Sequence, residues 1–153
     1  FHLHIAVNSL IEVAARQRPT LRVPGSTRGR VVAAPLPGES YDVLARFASL
    51  VGVESGFDAY VLGAGLPPTS VSRAAEDLGA SWVLLAGDVS EGAPGLHEYV
   101  ERILAGTERS RARVVCVGAN AARVGGLPED VLAVRDLRET ESLLAPMALR
   151  MAR

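Results

Sequence analysis

Apolar residues in this chain follow two rhythms that take turns. Short, mostly apolar runs fall at residues 30–36, 57–62, 82–86, 113–117 and 131–134, and each predicts a β-strand. Between them the apolar positions recur with a period near 3.6, which predicts helices over residues 41–54, 94–105 and 138–147. A further helix opens at Pro67-Pro68-Thr69-Ser70, where a hydroxyl can cap free amides, and carries Val71, Ala74, Ala75 and Leu78 before Gly79 stops it. In the 94–105 helix, Leu96, Val100, Ile103 and Leu104 share one side. Pro146 sits near the end of the last helix, where a proline is poorly tolerated, and a weak helical turn is expected at 119–124.

Strands that alternate with helices, each a continuous apolar run with no polar face, predict a parallel sheet covered by helices on both sides. With right-handed crossovers, five such strands fit a doubly wound, flavodoxin-like α/β domain of strand order 2-1-3-4-5. In that fold ligands bind beyond the carboxyl ends of the strands. The first such junction here is Pro35-Leu36-Pro37-Gly38-Glu39-Ser40-Tyr41, an apolar run broken by a Pro-Gly turn before a helix. The α/β domain is expected over residues 30–150. Upstream, residues 1–17 place Phe1, Ile5, Leu10 and Val13 at helical spacing and read as the last helix of a preceding bundle. Residues 18–29 hold Pro19, Pro24, Gly25 and Gly29 and read as a linker.

Composition narrows the function classes. A net charge of −1 gives no broad attraction to nucleic acid or to an anionic membrane, and all 16 basic residues are Arg. No apolar run approaches the roughly 20 residues of a membrane span. The single Cys116 excludes an internal disulfide and a multi-cysteine metal site, and its Val-Val-Cys-Val-Gly context predicts a buried core thiol. The chain has no initiator Met and opens inside an amphipathic segment, which predicts a piece of a longer cytoplasmic protein.

Four segments resemble the cobalamin-binding domain family. Val31-Val-Ala-Ala-Pro-Leu-Pro-Gly-Glu-Ser-Tyr-Asp-Val-Leu44 is similar to its first strand and loop. Tyr60-Val-Leu-Gly-Ala-Gly-Leu-Pro-Pro-Thr-Ser-Val71 is similar to its second strand, glycine turn and next helix start. Asp77-Leu-Gly-Ala-Ser-Trp-Val-Leu-Leu-Ala-Gly87 resembles the approach to its third strand, and Val114-Val-Cys-Val-Gly-Ala-Asn120 its fourth strand and turn. Within the family the likeness is to regulatory members: cobalamin photoreceptor repressors, photosynthesis antirepressors and haem-binding relatives. Phe1-His-Leu-His-Ile-Ala6 resembles the last helix of the bundle that caps the tetrapyrrole in those regulators.

The resemblance implies cofactor contacts at Pro37, Gly38, Glu39, Ser40, Tyr41, Leu44, Gly63, Ala64, Ala86, Gly87, Gly118, Ala119 and Asn120. It also exposes departures. The family's loop carries Asp-x-His-x-x-Gly, whose His ligates cobalt, whose Asp polarises that His, and whose Gly leaves room beneath the corrin. Glu39, Tyr41 and Leu44 stand at those positions. A phenol that titrates near pH 10 is a poor neutral donor to cobalt. The family's Ser/Thr after the third strand falls at Ala86 or Gly87, and its Gly-Gly after the fourth is Gly118-Ala119. The resemblance therefore implies cobalamin, or a related tetrapyrrole, bound without a lower His ligand.

Other residues offer weaker chemistry. Tyr41 either touches a ligand at the sheet edge or is an ordinary aromatic at a helix start. Glu39 and Asp42 suit a helix amino end, where the dipole favours carboxylates. His2 and His4 project about 200° apart on a helix and do not share a metal, although one of them is a candidate haem ligand. His97 reads as a solvated helix residue. Gly63-Ala64-Gly65 leads into Pro67-Pro68 and lacks a phosphate-binding helix start. Ser40 and Ser90 have no His and Asp at a spacing known for nucleophiles. Asp88 follows the third strand as a phosphoacceptor does, but Ala34 and Pro35 stand where its acidic partners belong.

These features predict a non-enzymatic sensory or regulatory domain of a transcriptional or signalling protein. It binds a tetrapyrrole, cobalamin or alternatively haem, between the sheet and the helical cap. Ligand or light then shifts the cap and biases a protein partner or a neighbouring DNA-binding domain, with no direct nucleic-acid or membrane contact by this domain. The alternative is a domain that has lost its cofactor and acts as a protein-interaction module. A methyl-transfer or radical enzyme module is disfavoured by Tyr41 in place of the His.

Overall fold

A computed structural model describes residues 27–88, 95–121 and 127–145. Its elements run β1 (Arg30–Pro35), α1 (Val43–Glu54), β2 (Asp58–Val61), α2 (Pro68–Asp77), β3 (Trp82–Ala86), α3 (Leu96–Gly106), β4 (Arg113–Val117), β5 (Leu132–Val134) and α4 (Leu137–Leu144). The strands form one sheet of order β2-β1-β3-β4-β5, every pairing parallel. This is the doubly wound architecture and strand order expected from the alternating pattern.

The unbroken apolar runs are explained by the two faces of the sheet. Successive strand side chains point to opposite faces. Val32, Val83, Leu85 and Val114 pack against Val71 of α2 and Val100 and Ile103 of α3. Val31, Leu84, Val115 and Val117 face the other way, towards Ala45 and Ala48 of α1 and Leu144 of α4. A polar residue at either parity would lose the roughly 1.5–3 kcal/mol that full burial of such a side chain provides. β2 is an edge strand and is less buried, with Tyr60 at 40% exposure.

Helix boundaries depart from the sequence reading for local reasons. α1 begins at Val43 and not at Tyr41, and the Asp42 carboxylate pairs with Arg46 at 2.6 Å, making no side-chain cap. α2 is not capped by Thr69 or Ser70. Pro67 occupies the cap position in extended backbone, and Pro68 opens the helix, where it has no amide to leave unpaired. α4 begins at Leu137 because Asp136 accepts a hydrogen bond from the Glu139 amide at 2.9 Å. It ends at Leu144 because Ala145, which precedes Pro146, takes ψ 148° as a pre-proline residue does.

The helix expected at residues 1–17 and all but the last three residues of the 18–29 linker lie outside the described residues. Of the 119–124 turn, residues 119–121 are described and form a turn. Among the described residues no helix is long and apolar enough to cross a membrane.

Candidate functional site

In an all-parallel sheet every strand ends on one edge, and the loops that follow β1, β3, β4 and β5 meet there. Past the strand ends the backbones stay paired. The Leu36 amide donates to Ala86 at 3.0 Å, Gly87 to Val117 at 2.9 Å, and Gly118 to Val134 at 3.0 Å. These bonds draw Gly87 and Gly118 so close that a Cβ on residue 118 would fall within the Gly87 carbonyl oxygen. A Cβ on Gly87 would meet Cγ of Glu39 at 2.6 Å and Cβ of Leu36 at 3.0 Å. Glycine is required at 118 by backbone approach; at 87 the crowding comes from the Glu39 and Leu36 side chains, and a hydroxyl-bearing side chain does not fit there unless they shift. Ala86 is fully buried in the apolar layer under α1.

Three polar side chains tie the loops together across the edge. Glu39 Oε1 accepts the Asp88 amide at 2.6 Å, and Asn120 Nδ2 donates to Asp88 Oδ1 at 3.0 Å. The loops after β1, β3 and β4 are thus linked through Asp88. The Glu39 side chain does not serve the amino end of α1, where a helix-start role had been expected. Pro37 is half-buried; Gly38 and Ser40 are exposed, with Gly38 at φ 89° in the Pro-Gly turn. Tyr41 is 66% exposed.

A cleft of about 510 Å³ opens beside this clasp. Its walls are Leu44 of α1, Val117, Gly118 and Ala119 at the end of β4, and residues 135–138 at the start of α4. Of the residues implied by resemblance, Leu44, Gly118 and Ala119 line this cleft. Glu39, Gly87 and Asn120 adjoin it through Asp88, which lies on its wall. Gly63 and Ala64 follow β2, which β1 and β3 separate from β4, and they do not line it.

Sequence reasoning missed the side of the cleft after β5. There Arg135 Nε donates to Glu139 Oε1 at 2.7 Å, and the Arg135 amide donates to Glu139 Oε2 at 2.8 Å. These contacts, the side-chain one first, hold the Glu139 carboxyl below its ordinary range. The signal was Asp136-Leu-Arg-Glu139 directly after an apolar strand, the spacing of a reciprocal helix cap.

The remaining candidates fall elsewhere. His97 is exposed on α3, which packs on the sheet face opposite α1 and α4, and its Nε2 lies 3.0 Å from Glu101. Cys116 is a core thiol as expected, and burial pushes it up to about 12, so it is protonated at neutral pH. Asp88 is bonded to Asn120, and the buried Ala34 and Pro35 offer no acidic partner. Among the described residues no three His, Cys, Asp or Glu side chains gather to hold a metal. His2 and His4, on which the haem alternative rested, lie outside the described residues.

The residues of the edge fit part of a corrinoid. The cleft offers an apolar wall at Leu44 and Val117 and a floor of glycine backbone, which suit the flat periphery and side arms of such a group. The β1–α1 loop, Leu36-Pro-Gly-Glu-Ser-Tyr-Asp42, offers no imidazole to a metal.

No family model matches this sequence, and no curated protein matches it. Solved structures do. The monomethylamine corrinoid protein of Methanosarcina barkeri aligns with TM-score 0.60 at 18% identity, over 88% of this chain and 63% of that one. A cobalamin-binding protein from Desulfitobacterium hafniense DCB-2 aligns with TM-score 0.56 at 20% identity, over 74% and 57%. The methanol:cobalamin methyltransferase complex MtaBC of Methanosarcina barkeri aligns with TM-score 0.61 at 10% identity, over 92% and 54%. This chain has their fold. It spans between about half and two thirds of the length of each, and at these identities the likeness is one of architecture.

Proposed function

We propose that this domain binds a corrinoid with no histidine beneath the metal, and that it serves as a non-enzymatic sensory or regulatory part of a transcriptional or signalling protein. The observation that carries the reading is the glycine-floored cleft at the carboxyl edge of a sheet with the cobalamin-binding fold. Leu44, Gly118 and Ala119 would hold the side arms of the group, and Tyr41 would flank it from the β1–α1 loop. A bound corrinoid would supply a metal that exchanges ligands and a group that absorbs visible light, which suits sensing of a ligand or of light. The regulatory part of the reading is supported by Tyr41 in place of an axial His and by the resemblance of the sequence to regulatory members. The non-enzymatic part is supported by where the titratable groups go: Glu39 to a backbone amide, Asp42 to Arg46, and Cys116 into the core. The output would pass to a protein partner or to a DNA-binding domain of the same protein.

A cofactor-free interaction module is the second reading. It is favoured by Leu44, whose side chain packs against the apolar layer where the resemblance requires open space. One experiment separates the two. The full-length protein is incubated with hydroxocobalamin in the dark, freed of unbound ligand, and its visible spectrum is recorded before and after illumination. Retained corrin absorption is expected. Absence of retained corrin absorption would reject the corrinoid reading in favour of the interaction module. Tyr41→His is expected to add an imidazole-ligated spectrum if the loop keeps its geometry.

A further inference from the structure

The Glu39 side chain lies beside the cleft, bonded to Asp88 on its wall. It crosses above Gly87, with Cγ 2.6 Å and Oε1 3.0 Å from the point a Cβ there would occupy. Gly87 in turn lies against Gly118, which lines the cleft. Oε1 ends on the Asp88 amide at 2.6 Å, a short charge-assisted bond in an exposed position, and Asn120 holds the Asp88 carboxylate from the next loop. The contact joins residues 49 apart in sequence and brings a carboxylate beside another acidic residue. Because it is exposed to solvent, water or a ligand can replace it at small net cost.

We infer that Glu39 is a clasp over the ligand groove: it ties the β1–α1 loop to the β3 loop while the groove is empty and is displaced when a ligand seats over Gly87 and Gly118. This rests on the corrinoid reading for the identity of the ligand. The clasp lowers apparent affinity by the fraction of molecules in which it is closed. Releasing it should therefore tighten binding.

The test uses Glu39→Ala and Glu39→Gln in the full-length protein, with folding checked by circular dichroism. In ligand-free protein, amide hydrogen exchange at Asp88 should accelerate in Glu39→Ala and be largely restored in Glu39→Gln, whose side-chain oxygen still accepts. Titration with hydroxocobalamin should give Glu39→Ala an affinity about tenfold tighter than wild type, with Glu39→Gln between. Unchanged Asp88 exchange in Glu39→Ala overturns the clasp. So does binding by Glu39→Ala that is no tighter than that of a wild type which does bind, and in that case the corrinoid reading survives alone. If no form binds hydroxocobalamin, the corrinoid reading falls and takes the gating role with it.

Discussion

At the amino edge of the sheet, arginines close the ends of helices; at the carboxyl edge, glycines let backbones meet and carboxylates bridge loops. Arg28 Nη1 donates to the Ser55 carbonyl at 2.9 Å and the Leu144 carbonyl at 2.6 Å, with its guanidinium 4.8 Å from the centre of the Phe57 ring. Arg30 Nη1 donates to the Leu78 carbonyl at 2.7 Å, and Arg113 lies over Trp82. The contrast follows from topology. Parallel strands with crossover helices gather all helix carboxyl ends at the amino edge, where unpaired carbonyls and the negative dipole ends favour cations. The helix amino ends gather at the other edge, where caps such as Asp136 are small and backbone approach leaves room for a ligand. At one edge arginines close on helix carbonyls; at the other Gly87 and Gly118 let the backbones meet beside a cleft.

The largest expected effect tests the glycine floor. Gly118→Val places a branched side chain into the Gly87 carbonyl, and urea unfolding should show a loss of about 3 kcal/mol or more. A loss under about 1 kcal/mol would mean that the loops separate freely. Next comes the amino edge. Arg28→Ala should cost about 2 kcal/mol through its two carbonyl contacts, and Arg28→Lys should recover only part, since an ammonium does not lie flat on Phe57. If thermal melts show Arg28→Ala to be neutral, the arginine closure contributes nothing. Asp136→Ala removes the cap of α4 and should cost about 1 kcal/mol, read from the denaturant midpoint. The smallest effect belongs to Tyr41→Ala, which should change stability by less than about 0.5 kcal/mol because the ring is exposed. It should nevertheless weaken corrin retention; a stability loss as large as that of Arg28→Ala would make Tyr41 structural and blur the distinction between the edges.

Much of the sheet was legible in the chain. Val31-Val32-Ala33-Ala34 and Trp82-Val83-Leu84-Leu85 have no polar residue at either parity, which only a strand covered on both faces tolerates. Helix ends were less legible. The Pro67-Pro68 pair and Asp136 each start a helix, but whether Thr69, Ser70 or a proline takes the cap depends on the path of the preceding loop. Leu44, Gly118 and Ala119 entered the site by resemblance and do line one cleft. Gly63 and Ala64 entered the same way and lie at the far edge.

The sequence by itself determined the periods and the punctuation, because those are set by interactions within a few residues. It therefore determined five strands, four helices and their parallel arrangement among the described residues. Only the tertiary structure decided that Glu39 meets the Asp88 amide, that Arg28 reaches Leu144 across 116 residues, and that Gly118 lies against Gly87. Those contacts depend on strand register and on the paths of the loops between strands, of which a residue's own neighbours in the chain carry no record.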